Sequence, residues 1–400
     1  MSAPDSRVDW LVIGGGIHGT YVARELLEAG VPRSELAVLD SHGELLASFR
    51  KKARVCGMET LRSNYVQHIG PSPFDLERFA EARWREDELV ATRHSQPRPT
   101  LDLFLDHCDH VIERFELQEL LQQATVTGIS REDSLVVDTT EGQLQAERVV
   151  LAIGPGNVYR RPDWADSDAV EHVWDDVRPP TRRIDAGERV WVVGGGITAG
   201  QFATSIADRA GHVSLCIRSP LQTALREAEP KWLNWHYISR ELHSLPPGSG
   251  ARYERLREAR NDGTIPPYLV DQLDTDEVTI RHEQITEVFE TDGGLLVSGS
   301  RDSGCHVDRI VLATGFQPVF EHPFVRQLAS SLSLVRGCRG MPVLDDGTLA
   351  WQTRSEESSN ILVTGKLAAG SVGALAGNIA GARRGAERIV EEHPTRQIVQ

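Results

Sequence analysis

Six residues near the start of the chain, Gly14-Gly15-Gly16-Ile17-His18-Gly19, follow the spacing G-x-G-x-x-G. The chemistry such a run supports is the holding of a diphosphate. Gly14 permits a tight turn, Gly16 lets backbone N–H groups approach an anion, and Gly19 lets one element pack closely on another. Asp40 stands 21 residues past Gly19 and offers oxygens that can accept hydrogen bonds from a ribose diol. A second run, Gly194-Gly195-Gly196-Ile197-Thr198-Ala199, reads G-x-G-x-x-A and begins 180 residues after the first. There the position matching Asp40 is Arg218, 19 residues past Ala199. A guanidinium suits a ribose 2′-phosphate where a carboxylate suits a free 2′-hydroxyl. A surface arginine without a ligand is the alternative for Arg218.

These residues need particular elements around them, and the sequence supplies them twice. Val8 to Ile13 and Leu36 to Leu39 are short apolar runs that read as buried strands, with an amphipathic helix between them from Ile17 to about Ala29. Val190 to Val193, a helix to about Ala210, and Val213 to Ile217 repeat the arrangement. Two later runs end in glycine: Val149-Val150-Leu151-Ala152-Ile153-Gly154, and Ile310 to Ala313 followed by Thr314-Gly315-Phe316. They mark the exits from the two units, and Ile361 to Gly365 closes the chain back onto the first. The expected fold is α/β, with two Rossmann-like dinucleotide-binding domains. The first, at 1–182 and 307–400, is read as the FAD domain, and the second, at 183–306, as an inserted NAD(P) domain for NADPH.

Other stretches carry weaker signals. Phe49-Arg50-Lys51-Lys52-Ala53-Arg54 is a basic run, read as a solvated charged face, with neutralisation of cofactor phosphates as the alternative. The loop of Gly57, Met58 and Arg62, continuing through Gln67 to Pro71-Ser72-Pro73, follows a nucleotide-binding strand, where loops often cover the reactive end of a cofactor. Helices are expected from Asp75 to Leu89 and from Leu101 to about Leu121, followed by a small antiparallel sheet that opens at Val126. The 157–188 stretch reads as a linker. The Trp232, Trp235, His236 and Tyr237 cluster reads as helix packing, with a cover over nicotinamide or substrate as the alternative. Gly373, Gly377, Gly381 and Gly385 recur every four residues, so one helix carrying them would present a single glycine stripe. Its N-terminus near Gly370–Gly373 is expected to face the flavin, with tight helix packing alone as the alternative.

Composition narrows the function classes. The chain has 400 residues and a formal net charge of −15, which argues against nonspecific nucleic-acid binding. No apolar stretch reaches the length of a membrane span, and the N-terminus has no apolar signal core, so a cytoplasmic location is expected. The five cysteines, at 56, 108, 216, 305 and 338, form no C-x-x-C pair, which suggests neither a redox dithiol nor a zinc site. No catalytic triad, metal cluster or carboxylate pair stands out.

The two fingerprints, the two glycine exits, the Ala313-Thr314-Gly315-Phe316 segment and the returning C-terminal segment resemble the two-dinucleotide flavoproteins. Within them, the Gly57-Met58 loop with its Pro-Ser-Pro-Phe stretch and Arg218 are most similar to the NADPH-dependent flavin monooxygenases of the lysine and ornithine N-hydroxylase kind. The resemblance implies FAD contacts at Gly14, Gly16, Gly19, Asp40, Met58, Arg62, Val126, Gly154, Gly365 and Gly373. NADPH contacts are expected at Gly194, Gly196, Ala199 and Arg218, and further cofactor contacts at Thr314 and Gly315. Arg62 and Gln67 are candidates for lining the flavin. The implied reaction is hydride transfer from NADPH to FAD, capture of dioxygen as a C4a-hydroperoxyflavin, and oxygen transfer to a small N- or S-containing nucleophile. The F-x-G-x-x-x-H stretch of flavin monooxygenases is missing, with only Val170-Glu171-His172 in its place. Lys366 replaces the acid that disulfide-reductase relatives carry there. A non-oxygenating NAD(P)H reductase of a quinone or other small acceptor is the alternative, and a nucleotide-sensing flavoprotein without activity is a second.

Overall fold

The computed structural model describes residues 6–92, 96–301, 303–355 and 358–391. Residues 1–5, part of the N-terminal stretch read for a signal, lie outside them. The first apolar run forms the strand Ser6–Ile13, at the centre of an eight-stranded sheet. Across the sheet the order is Ala350–Gln352, Ser358–Val363, Gly142–Leu151, Ser6–Ile13, Leu36–Asp40 and Leu121–Gln123. All these pairings are parallel except the outermost, between Ala350–Gln352 and Ser358–Val363. Helices cover both faces of such a sheet, so its central strands are apolar throughout rather than alternating. Trp10, Leu11 and Val12 are fully buried. The hairpin Val126–Arg131 and Leu135–Thr139 pairs antiparallel with the first half of Gly142–Leu151, the small antiparallel sheet expected there.

The second sheet is five-stranded and fully parallel, in the order Val278–His282, His212–Ile217, Arg189–Val193, Arg309–Leu312 and Val170–His172. A three-stranded antiparallel meander, Ile285–Thr291, Gly294–Gly299 and Ser303–Val307, packs beside it. Two strands outside the expected boundaries of 183 and 306, Val170–His172 and Arg309–Leu312, pair within this sheet. Val170–His172, inside the presumed linker, pairs with Arg309–Leu312, and that strand pairs with Arg189–Val193. A three-residue strand with a charged centre, Val-Glu-His, carries no periodic signal, and only pairing reveals it.

Several helices are shorter than their patterns suggested, and backbone geometry explains why. Asp75–Glu81 ends before Trp84, whose φ is 56°, and Leu101–Arg114 ends before Glu116, at φ 50°. Such left-handed residues cannot continue an α-helix. The glycine stripe is likewise corrected. Gly373 has φ 96° and lies between two helices, the short Ala369–Val372 and the longer Ile379–Glu391. Gly373 and Gly377 are thus outside the last helix. Gly381 and Gly385 are inside it, and the helix lies against Ile17–Glu28. No helix of the described residues is long and apolar enough to cross a membrane.

Candidate functional site: two dinucleotide turns and a nearby cavity

The two glycine runs adopt the same geometry. Gly14 N–H donates to the Leu39 carbonyl at 2.7 Å, and Gly194 N–H donates to the Cys216 carbonyl at 3.1 Å. Ala152 and Ala313 each donate back to the end of the central strand, to Ile13 and Val193, at 2.8 Å. Gly14 has φ 110°, and a Cβ there would stand 2.4 Å from the Ala152 carbonyl oxygen; Gly194 has φ 149°, with 2.5 Å to that of Ala313. The third positions differ. A Cβ on Gly19 would lie 1.7 Å from the Gly14 carbonyl oxygen, whereas the second turn admits the methyl of Ala199.

The middle glycines face open space. Nothing stands within 4 Å of a Cβ built on Gly16, and only Gly263 Cα, at 3.9 Å, approaches one on Gly196. Both residues cap their helices, Ile17–Glu28 and Ile197–Ile206, without any side-chain hydrogen bond, and neither first turn carries an acid. No side chain caps the free N–H groups of either helix, which fits a bound diphosphate in each turn.

The acid and the arginine behave differently. Asp40 Oδ2 accepts the Gly15 N–H at 2.7 Å, while Oδ1 accepts from His42 N at 2.9 Å and lies 2.8 Å from His42 Nδ1. It braces the first turn, a role beyond the ribose contact read from sequence, and its remaining lone pairs stay open. Val126 lies two residues past Ala124, whose N–H donates to the Asp40 carbonyl at 2.8 Å, so it flanks this end of the site. Arg218 is exposed at the end of His212–Ile217 and has no hydrogen bond or ion pair among the described residues.

The two exits are stitched together. Arg160 N–H donates to the Gly315 carbonyl, Gln317 N–H donates to that of Val158, each at 2.9 Å, and Thr314 Oγ1 donates to the Arg160 carbonyl. Gly154 and Gly315 both have left-handed φ, 65° and 82°, with nothing near a built Cβ. Gly365 meets the first fingerprint instead. A Cβ on it would lie 3.7 Å from His18 Nδ1, which shares a 3.1 Å hydrogen bond with Thr364 Oγ1. Burial keeps His18 neutral, pulling its pKa down to about 4, with the Asn378 backbone acting weakly the other way. Sequence reading passed over His18 because a variable fingerprint position carries no expectation.

From Asn378 the site opens into a cavity of about 170 Å³. Arg62 and Gln67 from the loop, Arg98, Glu227 from the second unit, and Asn378 and Ala380 at the start of the last helix line it. The Arg62 guanidinium donates to the Ala224 carbonyl at 2.6 Å and to Thr264 Oγ1 at 2.9 Å, and lies 3.9 Å from Glu227. Its pKa is lowered by burial, with Glu227 opposing the shift. Asn378 Nδ2 donates to Glu227. Arg98 lies 3.6 Å over the Tyr268 ring and donates to Thr60 and Leu61. Glu227 and Asn378 were not legible in sequence, since neither belongs to a motif.

Gly57, at φ 70°, presses on Ser205 of the second unit, and Met58 packs against the two largest hydrophobic clusters, so this part of the loop joins the domains. Gly373 packs on Trp232, 3.0 Å from a built Cβ, rather than heading a helix. Trp232 itself is 2 % exposed within a small core, consistent with its reading as packing.

The chain's fold is that of several solved enzymes. An ornithine N-hydroxylase from Kutzneria sp. 744 superposes with a TM-score of 0.79 at 17% identity, over 96% of this chain and 98% of its own. The L-lysine 6-monooxygenase of Pseudomonas syringae gives 0.68 at 19%, over the same shares. The bacillithiol disulfide reductase of Staphylococcus aureus gives 0.65 at 14%, over 97% and 98%. No curated protein sequence matches significantly. Residues 11–246, well over half of the chain and including both glycine turns, match the family described as pyridine nucleotide-disulphide oxidoreductase. With both turns inside that match, the chain belongs to the pyridine nucleotide-disulphide oxidoreductase family.

Proposed function

We propose that the protein is an FAD-dependent, NADPH-using monooxygenase that oxygenates a small nucleophilic substrate at nitrogen or sulfur. The observation that carries this reading is the continuity of the site. The first turn leads through His18, Thr364 and Gly365 to Asn378 at the cavity, and the second unit closes that cavity with Glu227. FAD held in the first turn, once reduced by NADPH, supplies the electrons and the activation of dioxygen. The chain's own residues do the rest. Gly16 and Gly196 present helix N-termini to the two diphosphates, Asp40 braces the first turn, and Arg218 selects the 2′-phosphate. Arg62 and Gln67 shape the cavity wall. All five cysteines are free and three are buried, with burial pushing the thiols of Cys56 and Cys216 up to about 12. They offer no dithiol to carry electrons onward, so the acceptor is a small molecule. The neighbours described above include an ornithine N-hydroxylase and an L-lysine 6-monooxygenase; ornithine and lysine both carry a side-chain amine, so an amine is the substrate class to try first.

The test mixes NADPH-reduced, FAD-loaded protein with oxygenated buffer, with and without candidate amines and sulfides. Slow return of the oxidised flavin spectrum, little hydrogen peroxide and an oxygenated product support the reading. Immediate reoxidation with stoichiometric peroxide, whatever is added, points to the reductase alternative. In the same assay Arg218→Ala is expected to raise the KM for NADPH about 10- to 100-fold and to leave that for NADH nearly unchanged, the scale of a lost charge-assisted contact. Equal effects on both would remove the 2′-phosphate role.

A further inference from the structure

The basic run after Asp40 folds as the helix Ala47–Val55. It hangs from the first dinucleotide turn, since the N–H of Leu46, its N-cap, donates to the Gly15 carbonyl at 2.7 Å. Lys51 and Lys52 lie about one turn further along. They open onto a second cavity of about 90 Å³, also lined by His42, Ser48, Asn157 and Tyr159. His42 is the residue hydrogen-bonded to Asp40, and Asn157 follows the exit of the strand Gly142–Leu151. The cavity thus lies beyond the carboxyl ends of strands on both sides of Ser6–Ile13, the place where open parallel sheets collect ligands.

The charge in this cavity is unbalanced. No carboxylate lines it, and neither Lys51 nor Lys52 forms an ion pair among the described residues. Lys52 Nζ donates to the neutral Asn157 amide at 2.8 Å and lies 5.1 Å from the Phe316 ring centre. Burial, with Lys51 adding to it, lowers its pKa to about 8. Three buried arginines of this chain each meet a carboxylate instead. Arg50 meets Asp109, Arg183 meets Glu171 and Arg252 meets Asp346. A desolvated ammonium without a counter-charge is costly, and an anion entering the cavity would remove that cost.

We infer that the Lys51–Lys52 cavity binds a phosphate group through its side-chain cations, beside and not in place of the backbone N–H groups of the first glycine turn. The phosphate comes from FAD in the adjacent turn, from NADPH, or from free inorganic phosphate, and the first two sources rest on the function proposed above. The test compares full-length wild type with Lys52→Met, Lys51→Met and the charge-keeping Lys52→Arg. Three quantities are read: the Kd for FAD by flavin fluorescence, the KM for NADPH, and calorimetric binding of inorganic phosphate to the FAD-loaded protein. One of the three is expected to weaken about tenfold in Lys52→Met, less in Lys51→Met, and to recover in Lys52→Arg. The quantity that moves identifies the source. If all three stay within about twofold of wild type in a folded Lys52→Met protein, the site does not exist. Should Lys52→Met fail to fold, the exposed Lys51→Met decides by the same criterion. A wild type that binds neither FAD nor NADPH would sink the proposed function instead, and phosphate calorimetry would still decide the cavity.

Discussion

At the scale of single residues, the three glycines of the first turn do different work, and the difference is measurable. Gly16 has φ −76°, a conformation open to any residue, and a Cβ there meets no protein atom within 4 Å. Its side-chain position is where the FAD diphosphate of the proposed function would approach. Gly19 is the reverse, because its Cβ would lie 1.7 Å from a backbone oxygen of the same turn. Gly16→Ala is therefore expected to leave the unfolding midpoint of FAD-free protein within about 1 kcal/mol of wild type while weakening FAD at least about tenfold. Gly19→Ala is expected to destabilise the FAD-free protein by about 3 kcal/mol or more, since helix and strand must separate. Denaturant titration of the two apoproteins, with flavin fluorescence for binding, checks the pair. Equal loss of stability in both would mean that Gly16 serves packing and not a ligand.

At the scale of elements, the last helix shows where pattern reading stops. A four-residue repeat of glycines reads as one helix with a close-packed stripe, but φ 96° at Gly373 breaks it. The two readings predict opposite signs for Gly373→Ala. In a helix interior alanine would stabilise by about 1 kcal/mol; at a left-handed position against the Trp232 ring it is expected to cost at least about 1 kcal/mol. A thermal melt that rises would restore the continuous helix. The contrast shows what was legible. Both glycine fingerprints, their strands, Arg218 and the glycine exits announce themselves because local geometry demands particular residues at fixed spacing. Val170–His172, Glu227 and Asn378 do not, because their roles come from pairing and contact between segments far apart in sequence. The basic run lay between the two cases: its charge was visible, while the cavity that leaves that charge unbalanced is a product of the fold.

At the scale of the whole molecule, four buried histidines tie stability to pH. His18, His68, His107 and His172 are nearly or fully inaccessible. Burial lowers His18 and His172 to about 4 and His68 to about 3. His107 moves the same way, although its 3.0 Å contact with Asp75 works against the shift. In the unfolded chain each titrates near 6.5. Below that pH the unfolded state binds protons that the native state refuses, so stability is complete above about pH 6.5 and declines as pH falls toward 4. Each histidine contributes at most about 1.4 kcal/mol per pH unit in that window. The Asp75 carboxylate, held below its usual range chiefly by the His107 hydrogen bond, adds its own loss only at lower pH. Relief of self-repulsion in a chain of net charge −15 acts in the opposite direction, but exposed charges are screened over about 8 Å at physiological salt and buried rings are not. The urea midpoint, followed by tryptophan fluorescence, is therefore expected to fall clearly between pH 7 and pH 5. His172→Phe removes one of these groups and keeps a ring stacked 4.7 Å from Tyr159. It is expected to lower stability at pH 7, because the Trp174 N–H loses its acceptor on His172, and yet to make the decline toward pH 5 shallower by about one proton. A midpoint that stays flat over that interval in wild type would mean that these histidines take up protons in the folded protein, with water reaching rings that the packing here seals off.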